Sequence, residues 1–178
     1  GGIFLRMFTR LERRFDFSMA DMLVHLLKLP DPHELLAKLE REEGVRIHRA
    51  LAPDKHRVVE WVREHSTPGA AAECDVSFSR TPVSCYIAVR GKDILGYACY
   101  EATAPNFFGP TKVLESEQGK GIGKALLLCC LHSMREMGYV YAIIGGVGPA
   151  EFYAKTVGAT LIPDSTPGIY RDYLGRRS

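Results

Sequence analysis

The chain has 178 residues, of which 46% are hydrophobic and 25% are charged, and its formal net charge is +2. This composition is ordinary for a soluble globular protein and indicates one domain, with an appendage at most. The small net charge and dispersed basic residues give no reason to expect a nucleic-acid or membrane partner, and no run approaches the ~18–20 apolar residues that span a bilayer.

The first 44 residues are predicted to form a helical extension. In the segment DPHELLAKLEREEG, Asp31 is a capping residue, Pro32 fits the first helical position, and Gly44 can end the helix. The preceding stretch ADMLVHLLKL is also predicted to be helical. The N-terminus lacks the compact apolar region of a signal peptide.

The order of predicted elements changes after residue 44, and residues 45–178 are predicted to form a single domain. VRIHRAL is typical of a strand and PDKHRVVEWVREHS of a helix, whereas TPGAAAECDVSFSRTP is ambiguous. VSCYIAV, ILGYACYEA and FFGPTKVLE are predicted to be neighbouring strands. A buried helix from about Ile122 to Met137, the strand YVYAIIGG, the helix GPAEFYAKTVGA and the short strands TLIP and GIYRDYL follow. The order indicates a mixed α/β fold, with an antiparallel half and then a strand–helix–strand crossover.

Five cysteines are present, at Cys74, Cys85, Cys99, Cys129 and Cys130. None lies in a C-x-x-C spacing, so no metal site is expected. Adjacent Cys129 and Cys130 lie within an apolar run, where thiols behave as small hydrophobic groups. The odd number without a disulfide framework predicts a reducing, cytoplasmic setting.

The stretch SEQGKGIGKALLLCC places glycines between a predicted strand and a predicted helix. Bare backbone N–H groups at the positive end of a helix can cradle a phosphate or pyrophosphate. A tight turn with nothing bound remains an equal alternative from the glycines alone. The spacing fits neither the G-x-G-x-x-G dinucleotide motif nor the phosphate-binding loop G-x-x-x-x-G-K-S/T.

The remaining pattern is Gln118-x-x-Gly121-x-Gly123, preceded by VLESE. It resembles the Q/R-x-x-G-x-G/A motif of the GNAT superfamily of N-acetyltransferases, and AEFYAKTVGA resembles that family's later tyrosine-bearing helix. The resemblance covers about residues 45–174 and includes the order of elements. It implies a GNAT-like mixed central sheet flanked by helices, with acetyl-CoA as co-substrate and no metal.

The resemblance also implies roles for individual residues. Tyr153 matches the tyrosine that protonates the departing thiolate in many members, and Gly146 stands where the family often has an asparagine. An ordinary tyrosine is protonated at neutral pH, so Tyr153 is a competent donor; packing against Phe152 is the alternative. The expected coenzyme-binding residues are Val113, Leu114, Glu115, Gln118, Gly119, Lys120, Gly121, Ile122, Gly123 and Lys124.

The general base is left open by the sequence. Glu101 and Glu115 are candidates, although a structural or solvated carboxylate is the more frequent role for such residues. Histidines are further candidates, and the one in the buried helix is expected only to pack: His48, His56, His65 and His132.

Three functional hypotheses follow. The first is an acetyl-CoA-dependent N-acetyltransferase that transfers acetyl directly, in a ternary complex, to a primary amine of a small molecule or peptide. The second is a catalytically silent coenzyme-A-binding sensor or interaction module. The third assigns residues 1–44 to homodimerisation or to covering the acceptor cleft.

Overall fold

A computed structural model gives the structure of the chain and describes residues 20–175. These residues contain seven strands, assigned to one mixed sheet, and five α-helices, as the predicted α/β architecture requires. The strands are β1 Met22–His25, β2 Arg46–Arg49, β3 Cys85–Arg90, β4 Asp93–Tyr100, β5 Phe107–Val113, β6 Tyr141–Ile144 and β7 Thr160–Leu161. The helices are α1 His33–Lys38, α2 Lys55–His65, α3 Pro68–Ser77, α4 Ile122–Glu136 and α5 Ala150–Val157.

Residue contacts divide the described chain into two compact units. The first, here called the loop unit, comprises residues 25–142. The second, here called the tyrosine unit, comprises residues 20–24 and 143–175. The boundaries between the units fall inside β1 and β6. Each of these two strands therefore has residues in both units.

Strands β2 to β5 of the loop unit pair in chain order, and all three pairings are antiparallel. This confirms the antiparallel half and the predicted pairing of FFGPTKVLE with the strand before it. Alternation gives the sheet two buried faces. Cys85, Ile87, Tyr97 and Cys99 belong to the apolar core that α2 and α3 also supply. The opposite face packs against α4, where Cys130 Sγ lies 3.5 Å from the Ala98 carbonyl oxygen.

Close packing of α4 on this sheet depends on a missing side chain at Gly96 in β4. A Cβ there would lie 2.9 Å from the Lys112 carbonyl oxygen and 3.3 Å from Leu126 Cδ1 of α4. The distance to the backbone oxygen is too short for a real side chain, and the distance to Leu126 is tight, so a glycine is required where helix and strand approach. This packing fixes the start of α4 directly behind the end of β5.

In the tyrosine unit, β1 pairs antiparallel with β7, with Met22 opposite Leu161. Asp21 ties this unit together, because its Oδ1 accepts from the Gly146 N–H at 3.0 Å and its own N–H donates to Ser165 Oγ at 2.8 Å. Helix α5 ends at Gly158, which has a φ of 65° and donates its N–H to the Ala154 carbonyl.

The structure corrects two predicted elements. ADMLVHLLKL is not helical: it contains strand β1, with Met22 and Val24 buried, and then a 3-10 turn over Leu26–Lys28. GIYRDYL does not form a strand, because Gly168–Tyr170 is a 3-10 turn. The helical extension is therefore limited, within the described residues, to α1 and the π-helical turn Leu39–Glu43 after it. Its predicted part before residue 20 lies outside the described residues.

Among residues 20–175, no helix has both the length and the apolar character that a membrane crossing requires. The ambiguous stretch TPGAAAECDVSFSRTP forms α3, whose N-cap Thr67 accepts a hydrogen bond from the Ala70 N–H at 3.1 Å.

Candidate functional site

The glycine loop lies between β5 and α4, as predicted from the sequence. Strand β5 ends at Val113, a 3-10 turn covers Glu115–Glu117, and α4 begins at Ile122. Gly119 and Gly121 have φ values of 82° and 96°. Side chains rarely adopt this backbone conformation, so the loop requires glycine at both positions.

At the start of α4, several backbone N–H groups have no hydrogen-bond acceptor within the helix. Gly121 is the N-cap and supplies no side-chain hydrogen bond, and the helical ladder begins with the Ala125 N–H donating to the Gly121 carbonyl at 3.0 Å. The amides of Ile122, Gly123 and Lys124 precede that bond and have no acceptor within the helix. Together with the helix dipole, these donors can bind a phosphate group.

Gln118 links the start of this loop to the end of β5. Its Nε2 donates to the Val113 carbonyl oxygen at 3.2 Å, and the Leu114 N–H donates to the Leu95 carbonyl of β4 at 2.9 Å. The Leu114 carbonyl in turn accepts from the Glu117 N–H at 2.9 Å. Both backbone groups of Leu114 are therefore used inside the protein, and the exposed glutamine side chain is bonded to the end of the strand.

Four charged side chains form an ion-pair cluster beside the loop. Glu117 pairs with Arg90 at 2.7 Å and with Lys120 at 2.8 Å, and Glu43 lies 3.6 Å from the Lys120 Nζ. The hydrogen bonds from Arg90 and then Lys120 lower the pKa of Glu117 to about 2. Glu117 thus stays ionised and engages the lysine of the loop at every ordinary pH.

Leu35 of α1 packs directly against the loop. A Cβ on Gly121 would lie 3.0 Å from Leu35 Cδ1, whereas a Cβ on Gly123 would meet only Val113 Cγ2, at an ordinary 3.7 Å. Gly123 also lacks a positive φ. A Cβ atom can therefore be added at position 123 without strain, but not at position 121.

We expect Gly121→Ala to lower the free energy of unfolding by about 1–3 kcal/mol, because alanine is strained at this φ. Urea unfolding measures the loss. The contact with the flexible end of Leu35 should contribute little, so the same substitution in a Leu35→Ala background should cost nearly as much. Full recovery in that background would show that the contact, not the backbone, requires glycine.

Tyr153 lies in α5 of the tyrosine unit and is 6% exposed. Burial raises its pKa to about 12. Its ring lies 5.1 Å from that of Phe152 in an edge-on arrangement. The packing against Phe152 that the sequence offered as the alternative role is therefore present. The hydroxyl is protonated at neutral pH and remains a competent proton donor.

The two carboxylate candidates for a general base differ in their surroundings. Glu101 is 3% exposed and accepts hydrogen bonds from the Asn106 N–H at 2.5 Å and the Tyr139 hydroxyl at 3.2 Å. Arg80 lies 3.9 Å from the same carboxylate. These bonds indicate a structural carboxylate that shapes the turn after β4. Glu115 is exposed at the start of the 3-10 turn beside the glycine loop.

Three of the candidate histidines donate to backbone carbonyls: His48 to Arg49 at 2.9 Å, His65 to Trp61 at 2.9 Å, and His132 to Pro30 at 2.8 Å. His56 is exposed. His132 also borders a cavity of about 440 Å³ together with Tyr86 and Ser133. These bonds favour structural roles for the three, and no histidine among the described residues is placed at the glycine loop by a hydrogen bond.

Some residues of the site were missed by the sequence interpretation. Arg90 and Glu43 reach the loop from distant parts of the chain, as does Leu35. No local pattern reports such contacts. Asp21 was assigned to a helical extension, yet it binds the Gly146 N–H in the tyrosine unit.

The model of the acetyltransferase (GNAT) family matches residues 45–158 of this chain. The chain therefore belongs to the GNAT family of acetyltransferases, as its resemblance implied, and acetyl transfer is the general activity that this membership supports. A search of curated protein sequences found no match.

Solved structures with the same fold include the glucosamine N-acetyltransferase region of a fungal multi-domain GH3 β-N-acetylglucosaminidase. It has a TM-score of 0.65 and 12% identity, over 81% of this chain and 20% of the fungal chain. A GCN5-related N-acetyltransferase from Sphaerobacter thermophilus has a TM-score of 0.57 and 18% identity, over 81% of this chain and 48% of the other. This chain thus spans half or less of either protein, and the likeness shows the fold alone.

Proposed function

We propose that this chain is an acetyl-CoA-dependent N-acetyltransferase that transfers acetyl directly to a primary amine of a small molecule or peptide, in a ternary complex. The observation that carries the proposal is the loop from Gln118 to Gly123, with two left-handed glycines leading into an uncapped helix N-terminus. Membership of the family supports the same reading.

The loop residues have the properties that a pyrophosphate requires. The amides of Ile122, Gly123 and Lys124 would donate to its oxygens, and the positive end of the α4 dipole would stabilise its charge. The family resemblance implies pantetheine contacts from Val113 to Glu115, and both backbone groups of Leu114 would have to be shared with their partners inside the protein. Bound acetyl-CoA would supply an acetyl thioester to the acceptor.

The proposed transfer forms one bond and breaks one. A neutral amine nitrogen attacks the thioester carbonyl, the new C–N bond forms, and the C–S bond breaks. The sulfur takes up one proton, which we assign to the Tyr153 hydroxyl, and the nitrogen gives up one, so the tyrosine is restored at the end. Its raised pKa supports this role, because the hydroxyl remains protonated at neutral pH.

A catalytically silent coenzyme-A-binding sensor or interaction module is the second candidate. Two observations favour it: Gly146 occupies the position where the family often has an asparagine, and Glu101 is held by structural hydrogen bonds. Such a module would bind acetyl-CoA at the same loop without turnover.

One pair of measurements tests the proposal and separates it from the second candidate. Calorimetric titration with acetyl-CoA and desulfo-CoA should give binding in the micromolar range for both. Release of free thiol from acetyl-CoA, followed with a panel of small amines and peptide amino termini, should then show turnover. Binding without turnover on any acceptor favours the sensor, and absence of binding refutes both candidates.

We expect Glu117→Gln to tighten acetyl-CoA binding by about 5- to 10-fold at low salt. The substitution removes a carboxylate that competes with the pyrophosphate for Lys120, which it contacts at 2.8 Å. The gain should shrink as salt screens these exposed charges. Because the pKa of Glu117 is about 2, the gain should persist over the whole neutral range. The measurement is calorimetric titration at two salt concentrations.

Glu42→Gln is the matched control for this substitution, because Glu42 lies next to Glu43 but pairs with Arg41, at 3.7 Å. It should leave the affinity within about twofold. An equal gain in both variants would mean that only the net charge matters and that the Lys120 contact does not compete.

We also propose a reducing, cytoplasmic setting, which is supported by the five cysteines being free thiols. A homodimer formed through residues 1–44, or coverage of the acceptor site by them, remains our proposal for the segment before the family match. The solution mass of the full chain, measured over a range of protein concentrations, tests the dimer.

A further inference from the structure

Three of the five cysteines come together in the core of the loop unit. Cys74 comes from α3, Cys85 from β3 and Cys99 from β4, and their sulfur atoms all lie within 4.8 Å of one another. Cys85 and Cys99 are direct cross-strand partners. All three residues are fully buried. This cluster, here called the thiol triad, lies on the face of the sheet that packs against α2 and α3, the core face opposite α4.

Among the described residues, the core cluster around the thiol triad is mainly apolar and contains no positively charged side chain. The same buried core contains Val58, Val62 and Ile87. The residues on either side of Cys74 are acidic, and Asp75 pairs with Lys55 at 3.0 Å. A bound group that left a net negative charge on three thiolates would therefore be buried without compensation, which is costly.

A buried hydroxyl that has no hydrogen-bond partner in the described part of the chain belongs to the same core cluster as the triad. Tyr97 is fully buried, and its hydroxyl has no hydrogen-bond partner among the described residues. Tyr97 interacts electrostatically with all three cysteines. It lies on the same strand face as Cys99, two residues earlier in β4. Most buried polar groups are satisfied, so this hydroxyl is an exception in the core that holds the triad. A thiolate bound to an ion would be a stronger acceptor than a thiol.

The number of ligands distinguishes between ions. Structural zinc takes four ligands, with sulfurs about 3.8 Å apart around it. Here three sulfurs are present, and Ser77 Oγ, 3.8 Å from the Cys99 sulfur, already donates to the Cys74 carbonyl at 2.6 Å. A three-coordinate, thiophilic ion matches the number of sulfurs, and binding it would draw them closer together.

Charge then selects among thiophilic ions. Three thiolates around monovalent copper would leave two negative charges in the core, and around zinc one. Around a trivalent centre they leave none. We propose that the thiol triad of Cys74, Cys85 and Cys99 is a binding site for a trivalent thiophilic metalloid, of which arsenite is the probe. This inference is independent of the proposed function, because it concerns a different face of the sheet from the one that carries α4.

The binding step balances without an oxidant or reductant. Arsenite enters as neutral arsenous acid, As(OH)₃. Three S–H bonds and three As–O bonds break, three As–S bonds form, and three molecules of water leave with the thiol protons. Arsenic stays trivalent throughout, and the bound site is neutral.

The experiment uses the reduced full chain and arsenite alone. Native mass spectrometry should show one arsenic per chain, with the loss of three protons. X-ray absorption at the arsenic edge on the wild-type protein should count three sulfur neighbours and no oxygen. Two sulfurs with a remaining oxygen, or no binding to the folded chain, would overturn the proposal, and neither readout depends on a variant that must fold.

Cys74→Ala removes one ligand from the helix side of the triad. Removing a residue that only hydrogen-bonds to a metal ligand typically weakens binding by ~10–100-fold. Because Cys74 is itself a proposed ligand, we expect Cys74→Ala to weaken arsenite binding by more than that. Cys129→Ala, which removes a half-buried thiol of α4 outside the triad, should leave binding unchanged. Equal affinity in the wild type and Cys74→Ala, or tighter binding of zinc or monovalent copper than of arsenite, would contradict the assignment.

Discussion

Gly123→Asp should weaken acetyl-CoA binding by about 100- to 1,000-fold without reducing the stability of the protein. Position 123 is in the first turn of α4, so an added carboxylate would bring negative charge close to the bound pyrophosphate. Two like charges about 4 Å apart repel by ~4 kcal/mol at the effective dielectric of a protein surface. The added Cβ fits, with Val113 Cγ2 at 3.7 Å. Calorimetric titration measures the loss.

The same carboxylate should favour the folded state, because an acidic residue near a helix N-terminus interacts well with the dipole. Stability and coenzyme binding should therefore change independently, which a general disruption of the loop would not produce. Urea unfolding of the variant should give a free energy of unfolding equal to or above that of the wild type.

Gly123→Asn is the matched control, since it has the shape of aspartate without its charge. It should retain affinity to within about tenfold of the wild type. If both variants lose binding equally, the cause is steric; if the aspartate binds as tightly as the glycine, the loop does not hold an anion. Gly121 is unsuited to this test because of its φ of 96° and its contact with Leu35.

The parts of this fold that the sequence predicted well are those decided by local chemistry. Helix α4 follows a loop that needs glycine at positions 119 and 121, and its apolar residues then run around most of its surface. Its start and its end at Glu136 were both anticipated. The paired strands β3 and β4 were predicted correctly for the same reason, because a short turn joins two runs rich in strand-forming residues.

Strand β1 was predicted wrongly because its residues satisfy two patterns at once. MLVHLLKL has leucines that suit a helix, but Met22 and Val24 also alternate with less buried neighbours. Pairing of Met22 with Leu161 decides between them, and this partner lies at the other end of the chain. Propensity is a weak prior that such tertiary pairing overrides.

In the candidate site, too, local features were predicted from the sequence and contacts between distant residues were not. The glycine loop was read from a short motif, whereas its ion pairs were not, because Arg90 and Glu43 are distant in sequence from Glu117. The thiol triad has no metal-ligand spacing at all, since its members come from a helix and two strands. Only the fold brings these sulfurs together.

Tyr153→Phe should lower kcat for acetyl transfer by about 100- to 1,000-fold while leaving the Kd for acetyl-CoA within about twofold. Loss of a positioned general acid costs this much in rate, and the phenyl ring preserves the packing with Phe152 at 5.1 Å. Steady-state kinetics measured together with calorimetric titration separate the two quantities. Tyr173→Phe, at an exposed tyrosine of the same unit, should change neither.

The pH dependence gives a second readout that a purely structural role would not produce. Burial raises the pKa of Tyr153 to about 12, so the hydroxyl holds its proton below that pH and loses it only above. The wild-type rate should therefore not fall between pH 8 and about pH 11 through loss of this acid, whereas a tyrosine with its ordinary pKa would fail near pH 10. In Tyr153→Phe, no alkaline fall near pH 12 should remain. A variant that keeps its rate and its pH profile would remove Tyr153 from the reaction and leave protonation of the sulfur to solvent.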